Sequence, residues 1–165
     1  MSTDTAVLEP IAQNAEAELT LPPPYEDEFL EALCGDWAGE YTLAGVKFDS
    51  TAEVKWVFNH QMVQGRNHSV GPIGISDSEE TWQRTDQPGI YKLWWFDSWG
   101  NAGVADAHTT ETGFEILGHD PLMGSFRNTV TRKGSEELNF KLESGPDENG
   151  AFTHLGGGFY RRTNK

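Results

Sequence analysis

The hydrophobic period of this chain changes to two after residue 36, and this change constrains the fold more than any other feature. In residues 36–43 and 52–62 apolar and polar residues alternate, as in a β-strand with one buried face. Further strands are predicted at 79–84, 89–97, 103–108, 113–117, 124–131, 136–143 and 151–161. Turn sequences rich in Gly, Pro, Asn and Asp separate these segments. About eight to ten short strands without intervening helices predict an all-β antiparallel barrel, which hides its strand edges by closing.

The segment before the strands predicts a tail and one short helix. Residues 1–24 hold four of the eight prolines and no aromatic residue, so they cannot bury enough surface to fold alone. We therefore predict a disordered acidic tail over residues 1–25 and a barrel domain over residues 26–165. Phe29, Leu30 and Leu33 recur at helical spacing, and Gly35 follows them. This helix is expected to close one end of the barrel.

The charge of the chain excludes two classes of partner. The net charge is −14, and ten acidic residues but no Lys or Arg precede Lys47. Nucleic acids and anionic lipid surfaces require clustered basic residues, so neither is an expected partner. No apolar run approaches the roughly 20 residues of a membrane span, and the N-terminus lacks a signal-peptide pattern. With the single Cys34, these features favour a cytoplasmic protein.

The alternation also indicates which side chains face the barrel interior. His60 continues the face of Trp56 and Phe58, so we expect it to point inward, as a hydrogen-bonded core residue or as a group that orients a ligand. Barrels of this strand number are just wide enough for one small ligand. The first hypothesis is therefore that the barrel binds a small, mostly hydrophobic or aromatic molecule. The candidate ligand-binding residues are Tyr41, Trp56, Phe58, His60, Trp82, Trp95 and His154.

Two other functions fit the same pattern. The first is an isomerase or cyclase acting on a hydrophobic substrate in the barrel, with His60 and Asp97 as candidate catalytic residues. Asp97 ends the most apolar run of the chain; it is either an acid or base partnered by His60 or Arg127, or a cap of the turn that follows. The second is a scaffold protein whose barrel is filled by Trp56, Phe58, Trp82 and Trp95.

Residues 93–96 are apolar on both faces of their strand. One face can line the core, and the other must be covered by the N-terminal helix or by a second subunit, which makes a homodimer possible. The spacing of the histidines does not predict a zinc site. Cys34 lies at the end of the predicted helix, where the dipole opposes a thiolate, so we expect it to be unreactive.

Three segments together resemble a known family. Residues 33–40, 91–100 and 157–162 are similar in order and spacing to the lipocalin-like proteins catalogued as domain of unknown function 1579. The resemblance covers residues 29–162 and implies a calycin-type antiparallel barrel of about ten strands, but no activity. In such barrels a Trp of the first strand packs beneath an Arg of the last strand. This implies a cation–π pair of Trp37 with Arg161 or Arg162.

A second, fainter similarity is to nitrobindin, a ferric-haem barrel with a His-Leu-x-x-x-aromatic-basic pattern near its end. Residues 154–161 resemble that pattern, which implies His154 as an axial haem ligand. The first strand departs from nitrobindin, because it lacks the Gly-rich Tyr-Pro segment. Haem is therefore one alternative ligand, and no other cofactor is expected. The glycines at 156–158 either leave space for a flat ligand or permit strand curvature.

Overall fold

The structure is a computed structural model that describes residues 21–121 and 124–163. The described residues form one helix, α1 (Glu28–Leu33), and ten strands. The strands are β1 (Gly35–Leu43), β2 (Val46–Val57), β3 (Met62–Gly71), β4 (Gly74–Arg84), β5 (Ile90–Asp97), β6 (Ala102–Thr110), β7 (Gly113–Asp120), β8 (Gly124–Lys133), β9 (Glu137–Ser144) and β10 (Thr153–Arg162). Each strand pairs antiparallel with the next, and β1 pairs with β10, so the sheet closes into a barrel. The predicted all-β barrel with a short N-terminal helix is confirmed.

The prediction of one continuous strand over residues 52–62 is wrong. β2 ends at Val57, and Phe58, Asn59 and His60 follow with φ angles of 51°, 55° and 57°. This left-handed turn sends the chain back along β3, so Phe58 and His60 lie outside the barrel, with Phe58 72% exposed. Left-handed backbone is uncommon for residues other than Gly, and the alternation continued through the turn. The sequence pattern therefore did not indicate that the chain reverses between β2 and β3.

Helix α1 closes one end of the barrel, as expected. Its N-cap is Asp27, whose Oδ1 accepts a hydrogen bond from the Leu30 amide at 3.0 Å. Leu30 and Leu33 are buried, and the Phe29 ring packs 4.7 Å from the Tyr91 ring. Burying one leucine stabilises a fold by about 2 kcal/mol. A helix of six residues is too short to be stable in isolation, so it depends on this packing.

A single arginine joins the last strand to the first strand and to the helix. The Arg162 guanidinium lies 4.3 Å from the centre of the Trp37 ring. It also donates hydrogen bonds to the carbonyls of Cys34 (2.5 Å) and Ala32 (3.1 Å) at the end of α1. Of the two arginines that the family resemblance allowed, the structure selects Arg162 as the partner of Trp37.

An apolar patch lies on the outer face of the barrel, formed by β5, β6 and β7. Four of its side chains are exposed: Trp94, Phe96, Val104 and Leu117. Helix α1 does not cover them, because it packs into the end of the barrel. The expectation that the N-terminal helix covers this face is therefore wrong, and coverage of the face by a second subunit stays a prediction.

The chain before α1 contacts the β2–β3 turn. The side chains of Asn59 and Gln61 donate hydrogen bonds to the carbonyls of Pro22 (3.3 Å) and Pro23 (2.8 Å). The predicted tail includes residues 1–20, which lie outside the described residues, so the boundary at residue 25 stays a prediction. No helix within the described ranges has the length and apolar character needed to cross a membrane.

We expect Arg162→Ala to lower the free energy of unfolding by about 2–4 kcal/mol, because it removes three charge-assisted hydrogen bonds, to the carbonyls of Cys34, Ala32 and Ser135, and one cation–π contact. The matched control is Arg161→Ala. Arg161 makes an ion pair with Glu137 (2.8 Å) while its side chain is 65% exposed, so the loss should stay below about 1 kcal/mol. Urea unfolding of both variants measures the difference. Equal losses would show that Arg162 does not close the barrel.

Candidate functional site

A cavity of about 290 Å³ lies inside the barrel, and its walls differ in chemistry. One wall, contributed by β3 and β4, is polar and small, and consists of Asn67, Ser69, Ser76, Ser78 and Glu80. The wall across the barrel, from β7, β8 and β9, carries large apolar side chains. These are Phe114, Ile116, Val130, Leu138, Phe140 and Leu142, with Asn128 among them. A bound molecule would therefore meet hydrogen-bonding groups on one side and aromatic or aliphatic surface on the other. We call these the polar wall and the apolar wall.

Two of the predicted ligand-binding residues line this cavity. Tyr41 on β1 and Trp82 on β4 both form part of its surface. Trp95 belongs to the inward-facing set of β5, but its ring lies over Gly103, where a Cβ atom would approach the indole to 2.8 Å. Trp95 therefore packs within the wall and does not line the cavity.

The predicted residues at the end of β2 lie at the helix end of the barrel and do not line the cavity. Trp56 donates a hydrogen bond from its indole N–H to Glu31 at 2.7 Å, and its ring stacks on His60 at 5.0 Å. Phe58 and His60 are exposed in the turn. The prediction that they point into the barrel is wrong. His60 is also too distant in the fold to serve Asp97, which ends β5 at the other end of the barrel.

Asp97 caps the turn that follows its strand. Its Oδ1 accepts hydrogen bonds from the backbone N–H groups of Trp99 (2.9 Å) and Asn101 (3.0 Å). The other suggested partner, Arg127, donates to Glu143 at 2.9 Å. Of the two interpretations of Asp97, the geometry fits the turn cap.

The haem ligand that the nitrobindin similarity implies, His154, does not face the cavity. A bulge between His154 and Gly156 shifts the register of β10, so His154 is exposed and does not share the inward face of Gly156. Of the described residues that line the cavity, none is His, Cys or Met. A tyrosine ligand would have to ionise, whereas burial raises the pKa of Tyr160 to about 12 and its hydroxyl is hydrogen-bonded to Ser50 at 2.7 Å. Within the described ranges, no group of three or more His, Cys, Asp or Glu could hold a metal ion.

The glycine run of β10 is explained by close packing of backbones. A Cβ atom at Gly156 would lie 2.1 Å from the Thr42 carbonyl oxygen, and one at Gly158 would lie 2.2 Å from that of Glu40. A side chain at Gly156 or Gly158 would therefore collide with the backbone of β1. Gly156 and Gly157 also line the cavity, so the run keeps this part of the wall free of side chains.

Glu80, which the sequence pattern did not indicate, is the one carboxyl among the described residues that line the cavity. Burial raises the pKa of Glu80 above its ordinary value near 4.5, because desolvation disfavours the charged carboxylate. The Trp82 indole lies close enough to lower this pKa in part, although its N–H falls short of hydrogen-bonding geometry. On the neighbouring strand Gly65 makes room, since a Cβ atom there would lie 3.0 Å from Glu80 Oε1. None of the described basic residues forms an ion pair with Glu80.

Hydroxyl groups extend the polar wall towards β2 and β10. The Ser50 hydroxyl is hydrogen-bonded to Ser69 (2.9 Å) and to Tyr160 (2.7 Å), and the last two line the cavity. Most buried polar atoms in proteins have a hydrogen-bond partner, so exceptions need an explanation. Within the described residues, the exceptions are Trp82 Nε1, Trp95 Nε1 and Asn128 Oδ1, all on strands that surround the cavity.

One signal in the sequence could have located Glu80. Residues two apart on a strand share a face, so Trp82 places Glu80, Ser78 and Ser76 in the interior. The predicted strand began only at Glu79, because residues 76–80 are polar at every position and show no alternation of hydrophobicity.

Comparison with solved structures supports the fold. Rv2717c from M. tuberculosis matches 85% of this chain and 100% of its own length, with a TM-score of 0.66 and 13% sequence identity. The S-type phycobiliprotein lyase CPES from Guillardia theta matches 84% of this chain and 92% of its own, with a TM-score of 0.59 and 9% identity. No protein-family model and no curated protein sequence matches. At these identities the likeness is one of fold, which is calycin-like or lipocalin-like.

We expect Glu80→Gln to stabilise the protein increasingly as the pH rises. The pKa of Glu80 is raised in the folded state, so its contribution is favourable at low pH and is lost as the pH rises above the unfolded value near 4.5. Glutamine keeps the shape without a charge to bury, and the gain at the alkaline end should be about 1–3 kcal/mol, the usual cost of burying a polar group in a protein. Urea unfolding above pH 5, away from the pI near 4.6, measures it.

The control is Glu79→Gln on the same strand. Glu79 forms a surface ion pair with Arg66 at 3.1 Å, so its loss should cost less than about 1 kcal/mol. A Glu80→Gln variant that is less stable than the parent at every pH would contradict the buried, unpaired state of this carboxyl.

Proposed function

We propose that this protein binds a small, largely aromatic molecule inside the barrel. The observation that carries the proposal is the cavity of about 290 Å³ with one polar and one apolar wall. Small-molecule sites are usually concave and apolar, with a few placed polar groups, and their volumes begin near roughly 300 Å³. The cavity therefore suits a compact ligand of one or two rings.

The composition of the polar wall supports binding over a purely structural role. Protein interiors are normally close-packed, and unfilled space lowers stability. Ser69, Ser76 and Ser78 occupy inward positions where larger apolar residues would fill the space. The scaffold hypothesis required a barrel filled by four aromatic residues. Of these, Trp82 borders the cavity without filling it, and Phe58 lies outside.

The alternatives are less well supported by the geometry. An isomerase or cyclase in this cavity would need an acid or base that contacts the substrate. Neither His60 nor Asp97, the two residues predicted for that role, lines the cavity, so Glu80 would be the only carboxyl among the described lining residues to supply it. The haem alternative lacks an inward-facing axial ligand, because His154 is exposed. We also infer kinship with the lipocalin-like proteins of domain of unknown function 1579, which the pairing of Trp37 with Arg162 supports.

The proposal predicts that filling the cavity abolishes binding. Ala52 lines the cavity, whereas Thr51 beside it on β2 is exposed on the outer face. With naphthylmethanol as a neutral aromatic probe, we expect saturable binding to the parent protein. We expect affinity to fall by about tenfold or more in Ala52→Phe, because the new ring occupies the ligand volume. Thr51→Phe should bind like the parent.

The measurement is quenching of tryptophan fluorescence, since Trp37 and Trp82 line the cavity. Circular dichroism confirms that both variants are folded. Equal affinity in the two variants would place the binding outside the cavity and overturn the proposal.

A further inference from the structure

The carboxyl of Glu80 has no counter-charge among the described residues. Arg66 pairs with Glu79 on the outer surface, and Arg84, at the helix end of β4, pairs with Asp27, the N-cap of α1. None of the described residues that line the cavity is Lys, Arg or His. A buried carboxyl is normally neutralised by a bound partner or by protonation. In this protein the partner must come from outside or be a proton.

The surroundings of Glu80 hold its carboxyl in a definite place. It lies over the backbone of Gly65, which leaves no side chain between the carboxyl and the strand behind it. Trp82 follows two residues later on the same face and lines the cavity. Aromatic faces attract cations as well as apolar groups. An ammonium group beside this carboxyl would therefore have favourable neighbours.

The polar wall offers further acceptors to such a group. An ammonium carries up to three N–H donors, and the Ser78 hydroxyl lies on the same face of β4 as Glu80. Asn67 is opposite Ser78 in the register of β3 and β4, and both residues line the cavity. Hydroxyl and amide oxygens can accept hydrogen bonds from the N–H groups of the ammonium that are not bound by the carboxylate.

We propose that the ligand of this cavity is an aromatic amine, and that Glu80 binds its basic nitrogen while the apolar wall holds its rings. This inference rests on the proposed function, which it deepens by naming the ligand class. The apolar wall supplies Phe114 and Phe140 for the rings. Charge-assisted hydrogen bonds are the stronger ones, and they gain from a site that excludes water.

The charge balance of binding gives a second observable. Because burial favours the protonated form of Glu80 in the free protein, binding of an ammonium releases the carboxyl proton to the buffer and leaves a carboxylate–ammonium pair. The other titratable side chains that line the cavity are Tyr41 and Tyr160, and Tyr160 stays protonated at neutral pH, since its pKa is about 12. Affinity for the amine should therefore rise as the pH rises above the ordinary pKa of a glutamate, until Glu80 is ionised in the free protein, whereas affinity for a neutral analogue should not.

The test compares three probes of nearly equal shape on the full chain: naphthylmethylamine, naphthylmethanol and naphthoate. We expect the parent protein to bind the amine about tenfold more tightly than the alcohol, with naphthoate the weakest. Glu80→Gln should remove the preference for the amine and its pH dependence while still binding the alcohol. Glu79→Gln, one residue away and facing outward, should keep both.

The outcomes separate the two proposals. If the parent protein binds amine and alcohol equally and Ala52→Phe abolishes both, the cavity binds aromatic molecules, and the amine inference is overturned. A preference for the amine that persists in Glu80→Gln would overturn the role of Glu80. If none of the three probes binds saturably, the proposed function fails and the inference fails with it.

Discussion

The contacts of the Arg162 guanidinium are the interaction on which this barrel depends. The backbone of Arg162 belongs to the last strand, while its side chain holds the end of α1 and covers Trp37 of the first strand. Its bond to Cys34 joins residues 128 apart in the chain. Closing so long a loop costs entropy. The ladder of backbone hydrogen bonds between β1 and β10 helps to offset this cost. The short helix then becomes stable because the closed end of the barrel buries it.

The cavity follows from how the closed barrel is filled. At the helix end the interior is packed by large residues, including Leu30, Trp82 and Phe114. In the middle, the small side chains of the polar wall face the large side chains of the apolar wall, and the space between them is not filled. A barrel built only for stability would place branched aliphatic residues at Ser69 and Ser78. The serines of the polar wall therefore make the barrel less stable than aliphatic residues would. Recognition of a ligand would account for them, whereas folding alone does not.

The sequence was sufficient for the architecture and insufficient for the site. Alternation and turn signals predict the barrel because they repeat along more than a hundred residues, so local errors do not change the result. The site depends on single positions at which local geometry overrides the alternation. The left-handed turn placed Phe58 and His60 outside, and the bulge before Gly156 placed His154 outside. Glu80 went unnoticed because both faces of its strand are polar, and only its register relative to Trp82 shows that it points inward.

The net charge of the protein and the chemistry of the cavity favour the same ligands. With a net charge of −14, the protein attracts cations from solution and repels anions, an effect that reaches beyond individual contacts. Arg127 pairs with Glu143 on the outer surface, and Arg162 donates to backbone carbonyls at the end of α1. No arginine is among the described residues that line the cavity. Free fatty acids and other carboxylates would meet repulsion outside and Glu80 inside. A cationic ligand would be attracted by the net charge of the protein in solution and by Glu80 in the cavity. The aromatic side chains of the interior would then bind the rest of the molecule.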